Sequence, residues 1–125
     1  MQETLTASLR QKQIVEAYEK ALDMHMLELR EGKAERTLEI AEFANKLNIH
    51  PTHLSNTLHQ ALSQSPCDIY ENKLLALAKD LLADHNKSIK EIAMQLCYDP
   101  SNFTKFFKAY EGKTPKQYRQ ELLKL

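Results

Sequence analysis

Two segments of this chain, 49 residues apart, carry hydrogen-bonding side chains on what would be one face of a helix. In the first, Thr52, His53, Ser55, Asn56, His59 and Gln60 surround the apolar pair Leu54 and Leu58. In the second, Ser101, Asn102, Thr104, Lys105 and Lys108 surround Phe103 and Phe107. Neither set contains a carboxylate. Side chains of these types, on the free side of a helix whose other side is buried, are suited to exchanging hydrogen bonds with an external polar surface. If that surface is the major groove of duplex DNA, Asn56 or Asn102 can pair with adenine through two hydrogen bonds and Lys105 can donate to guanine. Thr52, Ser55, Ser101 and Thr104 can contact either phosphate or a thymine methyl. Neither segment contains arginine, so base reading is expected to be soft.

Other chemistries find less support. His50, His53 and His59 lie close enough to share a helix face, but no cysteine or carboxylate completes the four-ligand set of a zinc site, and no metal is expected. Cys67 and Cys97 fit neither a metal spacing nor a disulfide framework and are expected to be small buried fillers in a reducing compartment. Nothing resembles a nucleophile with its base, a phosphate-cradling glycine loop or a paired-carboxylate site, so neither an enzyme nor a cofactor is expected.

The elements that would position the two segments follow from an internal repeat. Under a shift of 49 residues Ile40 meets Ile89, Glu42 meets Glu91, Ala44 meets Ala93, Leu47 meets Leu96, Pro51 meets Pro100 and Pro66 meets Pro115. These identities fall on the apolar skeleton and the helix starts, the positions that a repeated structural unit must keep alike. Each unit reads as a short helix, a tight turn and a second helix. In the second unit Ser88 caps the first helix with Glu91 completing a capping box, and Ile89, Ile92, Ala93 and Leu96 form its buried stripe. Asp99 caps the next helix, with Pro100 at its first position, where a missing amide hydrogen costs nothing. In the first unit Ile40, Phe43, Ala44 and Leu47 precede a turn at Asn48 and Ile49, and Pro51 opens a helix burying Leu54, Leu58 and Ala61. Two short helices joined this tightly must cross steeply, which is the helix-turn-helix arrangement.

The units are expected over about residues 37–63 and 86–112, joined by a helix over about 66–83 that begins at Ser65 and carries Ile69, Tyr70, Leu74, Leu77, Ala78, Leu81 and Leu82. A helix from Gln11 to Arg30 precedes them, with Val15, Tyr18, Leu22, Met26 and Leu29 on its apolar side and Gly32 as a stop signal. Residues 1–10 read as a polar tail or linker remnant, and a last helix begins at Thr114 and Pro115 with Tyr118, Leu122 and Leu123. The sum is an all-α domain of seven helices over residues 11–125, expected to act as a monomer. A connecting helix of about 18 residues is roughly 27 Å long at 1.5 Å per residue, so it would hold two recognition helices near the ~34 Å repeat of DNA. A tandem repeat in one chain implies an asymmetric or directly repeated site read in two successive major-groove segments.

Composition agrees with this class. Two glycines, four prolines and no tryptophan in 125 residues leave few turn-makers for a sandwich or barrel. The chain is neutral overall, with 17 basic and 17 acidic residues, but residues 100–125 hold six Lys/Arg against two Asp/Glu. No apolar stretch approaches the roughly 18 residues of a membrane span. A soluble cytoplasmic protein is expected.

From about Leu38 to Arg119 the chain resembles the DNA-binding domain of AraC/XylS-type transcription regulators. The likeness is clearest from Ala78 onward, where Ala78, Leu81, Leu82, Ser88, Ile89, Glu91, Ile92, Ala93, Asp99, Phe103, Phe107, Lys108, Gly112, Thr114, Pro115, Tyr118 and Arg119 stand at the family's spacing. The resemblance implies seven helices, two helix-turn-helix units, and promoter binding that recruits or blocks RNA polymerase. It places base contacts on Thr52, Ser55 and Asn56 and on Ser101, Asn102 and Lys105. The chain departs from the family's pattern at Cys97, where a turn glycine is usual and where Asn48 is the first unit's counterpart, and at Ser63, in the place that Gly112 fills. A helical protein-protein interaction module with a degenerate repeat is the alternative reading, favoured by the neutral charge and opposed by the basic C-terminal end.

Overall fold

The computed structural model describes residues 2–124, with side chains from Leu9 onward. They form seven α-helices and, among the described residues, no strand: α1 Gln2–Arg30, α2 Ile40–Lys46, α3 Pro51–Leu62, α4 Pro66–Leu82, α5 Ile89–Gln95, α6 Pro100–Glu111 and α7 Pro115–Leu123. The helix expected from Gln11 extends back to Gln2, so residues 2–10 are helical rather than a tail. It ends in a Schellman turn: Gly32, at φ 72°, donates its N–H to the Leu29 carbonyl (3.1 Å), and Lys33 N–H donates to Glu28 (2.9 Å). A positive φ is cheap for glycine, which explains the stop.

The chain divides into two compact units, Met1–His25 with Leu38–Glu71 and Met26–Thr37 with Asn72–Leu125. In the first, α2 packs against α3, and Tyr18, Leu22, Phe43, Ala44, Leu54 and Leu58 are buried. The Tyr18 ring meets Phe43 edge-on at 5.6 Å, while its hydroxyl donates to the Pro66 carbonyl at 3.0 Å. Burial, and secondarily Cys67, hold that phenol well above the ordinary tyrosine range. His25 is buried against the Phe43 and Tyr70 rings and shares a 3.2 Å hydrogen bond with the Tyr70 hydroxyl. Thr57 is buried as well. Ala61, expected in this core, is exposed because it lies in the last turn of α3.

In the second unit α5 and α7 pack against α6, and Leu74, Ala78, Leu82, Ile92, Leu96, Phe103 and Phe107 are buried. Truncating such a buried ring to alanine typically costs ~3–5 kcal/mol. Two side chains close helix ends. Gln95 Nε2 donates to the carbonyls of Arg30 (2.7 Å) and Leu29 (3.3 Å) at the end of α1. Arg119 donates from Nε to the Leu82 carbonyl (2.9 Å) and from Nη2 to that of Asp84 (3.2 Å), at the end of α4. Lys79 pairs with Glu111 at 2.6 Å and lies 5.8 Å from the centre of the Tyr118 ring. In α7, Tyr118 and Leu122 are only half-buried and Leu123 is exposed, a thinner apolar side than the sequence suggested. Cys67 is exposed and Cys97 half-buried, so neither is the buried filler expected of it. Cys67 falls in the first turn of α4 beside the buried Pro66, where it stays accessible to solvent.

Candidate nucleic-acid interface

Each of the two helix pairs is held by the same turn. After α2, Ile49 N–H donates to the Ala44 carbonyl and Asn48 N–H to Asn45, both at 3.1 Å. After α5, Tyr98 N–H donates to Ala93 (2.8 Å) and Cys97 N–H to Met94 (3.0 Å). These are Schellman turns with Asn48 (φ 57°) and Cys97 (φ 64°) in the left-handed position. Asparagine adopts that backbone more readily than most residues, whereas a cysteine is strained there by roughly 1–2 kcal/mol. The Cys97 thiol makes a 3.6 Å contact with the Ala34 carbonyl, and burial pushes it above the usual thiol range.

The second helix of each pair begins and ends alike. Asp99 accepts from the Ser101 and Asn102 amides (3.2 and 3.4 Å) and from the Ser101 hydroxyl (2.8 Å). The Ser101 hydroxyl first, and then the Asn102 amide, hold its carboxyl below the ordinary aspartate range, with Lys105 adding a smaller pull. In the first unit His50 plays the capping part: its Nδ1 accepts from the Thr52 amide at 3.1 Å. His50 is therefore a cap, a role that spacing did not suggest. Proline follows in both units. Ser63 (φ 56°) and Gly112 (φ 84°) both end their helices left-handed, donating to the carbonyls of His59 (2.9 Å) and Lys108 (2.8 Å). Ser63 thus does what the glycine does. In front of α5, Ser88 accepts from the Glu91 amide at 3.0 Å; among the described bonds, the return half of the expected box does not form. In front of α2, it is Glu42 that reaches back to the Glu39 amide at 3.2 Å.

With these ends fixed, α3 turns Leu54, Thr57 and Leu58 inward and leaves Thr52, His53, Asn56, His59 and Gln60 exposed, with Ser55 half-buried. On α6, Phe103 and Phe107 point inward while Ser101, Asn102, Lys105 and Lys108 are exposed and Thr104 is half-buried. Each sequence-predicted set is therefore gathered on one helix and largely presented to solvent. Two members are engaged locally. The Ser101 hydroxyl is given to Asp99, and Thr104 Oγ1 donates to the Pro100 carbonyl at 3.1 Å. Phosphate offers only acceptors, so either hydroxyl must release its present bond to donate to it.

Two neighbouring features lay outside the sequence reading. Along a flank of α6, Tyr98 stacks on Phe106 with ring centres 5.4 Å apart, and Phe106 meets Tyr110 in a tilted contact at 5.2 Å. In the first unit α1 runs beside α3, where Gln11 Nε2 donates to Gln60 Oε1 at 2.9 Å. Among the described residues no cluster of three His, Cys, Asp or Glu side chains is placed to hold a metal. No described helix is long and apolar enough to cross a membrane.

Comparison with known proteins places this arrangement. A family model described as a helix-turn-helix domain matches residues 43–121. Two curated relatives from Bacillus subtilis (strain 168), the uncharacterized HTH-type transcriptional regulators YtdP and YfiF, are 34% and 32% identical over 88 and 82 residues, which is 70% and 66% of this chain. The matched stretch is 11% of the first relative and 26% of the second, so the chain corresponds to a minor part of each. Among solved structures, the C-terminal domain of AraT, a response regulator from Geobacillus stearothermophilus, is similar at TM-score 0.70 and 26% identity, over 84% of both chains. A DNA-binding transcriptional dual regulator from Escherichia coli K-12 is similar at TM-score 0.66 and 25% identity, over 72% of this chain and 81% of that one. Two helix-turn-helix pairs with matching turns, caps and stops, together with these likenesses, lead to one conclusion: the chain belongs to the AraC-type helix-turn-helix family of DNA-binding transcription regulators.

Proposed function

We propose that this chain is the DNA-reading module of a transcription regulator and that α3 and α6 each enter a major-groove segment. The observation that carries this reading is the duplicated helix pair with its repeated turn and left-handed stop, each copy leaving one polar helix side free of carboxylates. On α3 the contacts are Thr52, His53, Ser55, Asn56 and His59; on α6 they are Ser101, Asn102, Thr104, Lys105 and Lys108. Thr52, Asn56 and His59 correspond by the 49-residue shift to Ser101, Lys105 and Lys108, and they lie opposite the buried side of their helix. Asn56 suits adenine and Lys105 suits guanine.

The 17 residues of α4 act as the strut between the two reading helices, at ~1.5 Å per residue. The target is then an asymmetric or directly repeated site spanning two successive groove segments, read by one copy of the chain in the cytoplasm. At a promoter such binding would recruit or block RNA polymerase. The interaction-module alternative is not favoured, since the curated relatives are HTH-type transcriptional regulators.

Selecting bound sequences from a random duplex pool tests the reading. A DNA reader enriches a defined asymmetric or direct-repeat motif and loses affinity steeply as salt rises, through lost counterion release. An unenriched pool with weak, salt-independent retention contradicts it.

A further inference from the structure

The two reading helices differ in charge. α6 carries Lys105 and Lys108, whereas none of the 12 residues of α3 is a lysine or arginine. A helix entering a groove lies between two rows of phosphate, and each phosphate neutralised by a cation adds to affinity through counterion release. In the first unit a cation stands beside α3 on another helix. Arg10 of α1 shares a cleft of about 270 Å³ with His53, Asn56 and Gln60 of α3.

The register of this contact is fixed. Gln11, the next residue, bonds to Gln60 at 2.9 Å, and Ile14, one turn further on, is buried and lines the same cleft as the buried Thr57. Arg10 itself is exposed. Among the described residues, no side chain lining the cleft is acidic and no carboxylate is paired with Arg10. Arg10 thus lines the flank of α3 that carries His53, Asn56 and Gln60 and is itself exposed to solvent.

We propose that Arg10 is a phosphate-contacting residue of the first reading unit, supplied by α1 to compensate for the missing cation of α3. The proposal rests on the DNA reading above and extends the interface to a helix outside the helix-turn-helix pair. A guanidinium suits the role because its planar fork can bond two phosphate oxygens at once.

The test is a salt titration of the full chain and of its Arg10→Gln and Arg10→Lys variants, on a selected site and on a random duplex, with thermal melts confirming that both variants fold. A phosphate contact predicts that Arg10→Gln weakens binding to both duplexes by the same factor. The slope of log K against log salt becomes shallower by about 0.9, so the gap from the unsubstituted chain narrows by about threefold between 50 and 200 mM salt. Arg10→Lys keeps the charge and restores the slope. An unchanged slope in Arg10→Gln, with binding by the unsubstituted chain intact, overturns the proposal alone, as does a loss confined to the selected site, which would mark a base contact. If the unsubstituted chain binds no duplex, the DNA reading falls and this proposal with it.

Discussion

Asn48 and Cys97 hold the same left-handed turn position, at φ 57° and 64°, in two helix pairs 49 residues apart. In each turn the following residue bonds back across the position, Ile49 to Ala44 and Tyr98 to Ala93. The chain therefore keeps one geometry with two residue types, neither of them glycine. Because the turn sets the crossing of each helix pair, it decides which side of α3 and of α6 is left free.

Cys97→Gly should stabilise the protein. Relief of left-handed strain amounts to roughly 1–2 kcal/mol, offset by the greater unfolded-state freedom of glycine, about 0.5–1 kcal/mol, and by loss of the weak thiol contact with Ala34. The net gain is then at most about 1 kcal/mol, which corresponds to a melting temperature higher by up to a few degrees for a domain of this size. A lower melting temperature would mean that the thiol contributes more than the strain costs.

Asp99 should make the stability of α6 pH-dependent. Its carboxyl is held below the ordinary range by the Ser101 hydroxyl and the Asn102 amide. For a group whose pKa is depressed by folding, the contribution is fully present above the unfolded value of about 3.9 and is lost as pH falls through the lower folded value. Asp99→Ala is expected to melt below the unsubstituted protein at pH 7, with the gap closing in acid below about pH 4. A gap that is constant with pH would show that the cap acts without its charge.

Arg119→Ala should remove two hydrogen bonds to carbonyls at the end of α4, on Leu82 and Asp84. Hydrogen bonds to a charged group are worth about 1.5–3 kcal/mol where buried, and partial exposure of Arg119 places the expected loss near the bottom of that range. Arg119→Lys should recover only part of it, because an ammonium cannot reproduce the planar fork. Urea unfolding of the three proteins gives the comparison; equal stability of all three would remove the assigned role.

Lys105→Ala should weaken binding to a selected site by roughly 10- to 100-fold and relax the base preference at one position. If Lys105 contacts only phosphate, the loss is instead uniform over all sequences. Repeating the selection with the variant separates these outcomes.

Much of the fold was legible because its signals are local. Asp99 before Pro100, Ser88 before α5, and Thr114 before Pro115 each mark a helix start within a few residues, and the 49-residue repeat transfers each assignment to the other unit. What escaped depends on contacts that spacing does not encode. His25 is a polar residue by type, yet the Phe43 and Tyr70 rings make its site part of the core. Cys67 is a small apolar residue by type, but its place in the first turn of α4 leaves it exposed. His50 shares the spacing of His53 and His59, and only the backbone geometry distinguishes a cap from a free side chain. Arg10 falls before the apolar periodicity that starts at Gln11, so spacing does not mark it as helical, although the helix continues back to Gln2.

The most direct test of the central claim is a hydroxyl-radical footprint of the full chain on a selected site. Two protected backbone segments on one face of the duplex, about 10 base pairs apart, with substitutions in α3 erasing one and substitutions in α6 erasing the other, are the predicted result. A single protected segment, lost only through α6, would contradict a chain that reads DNA with both helices.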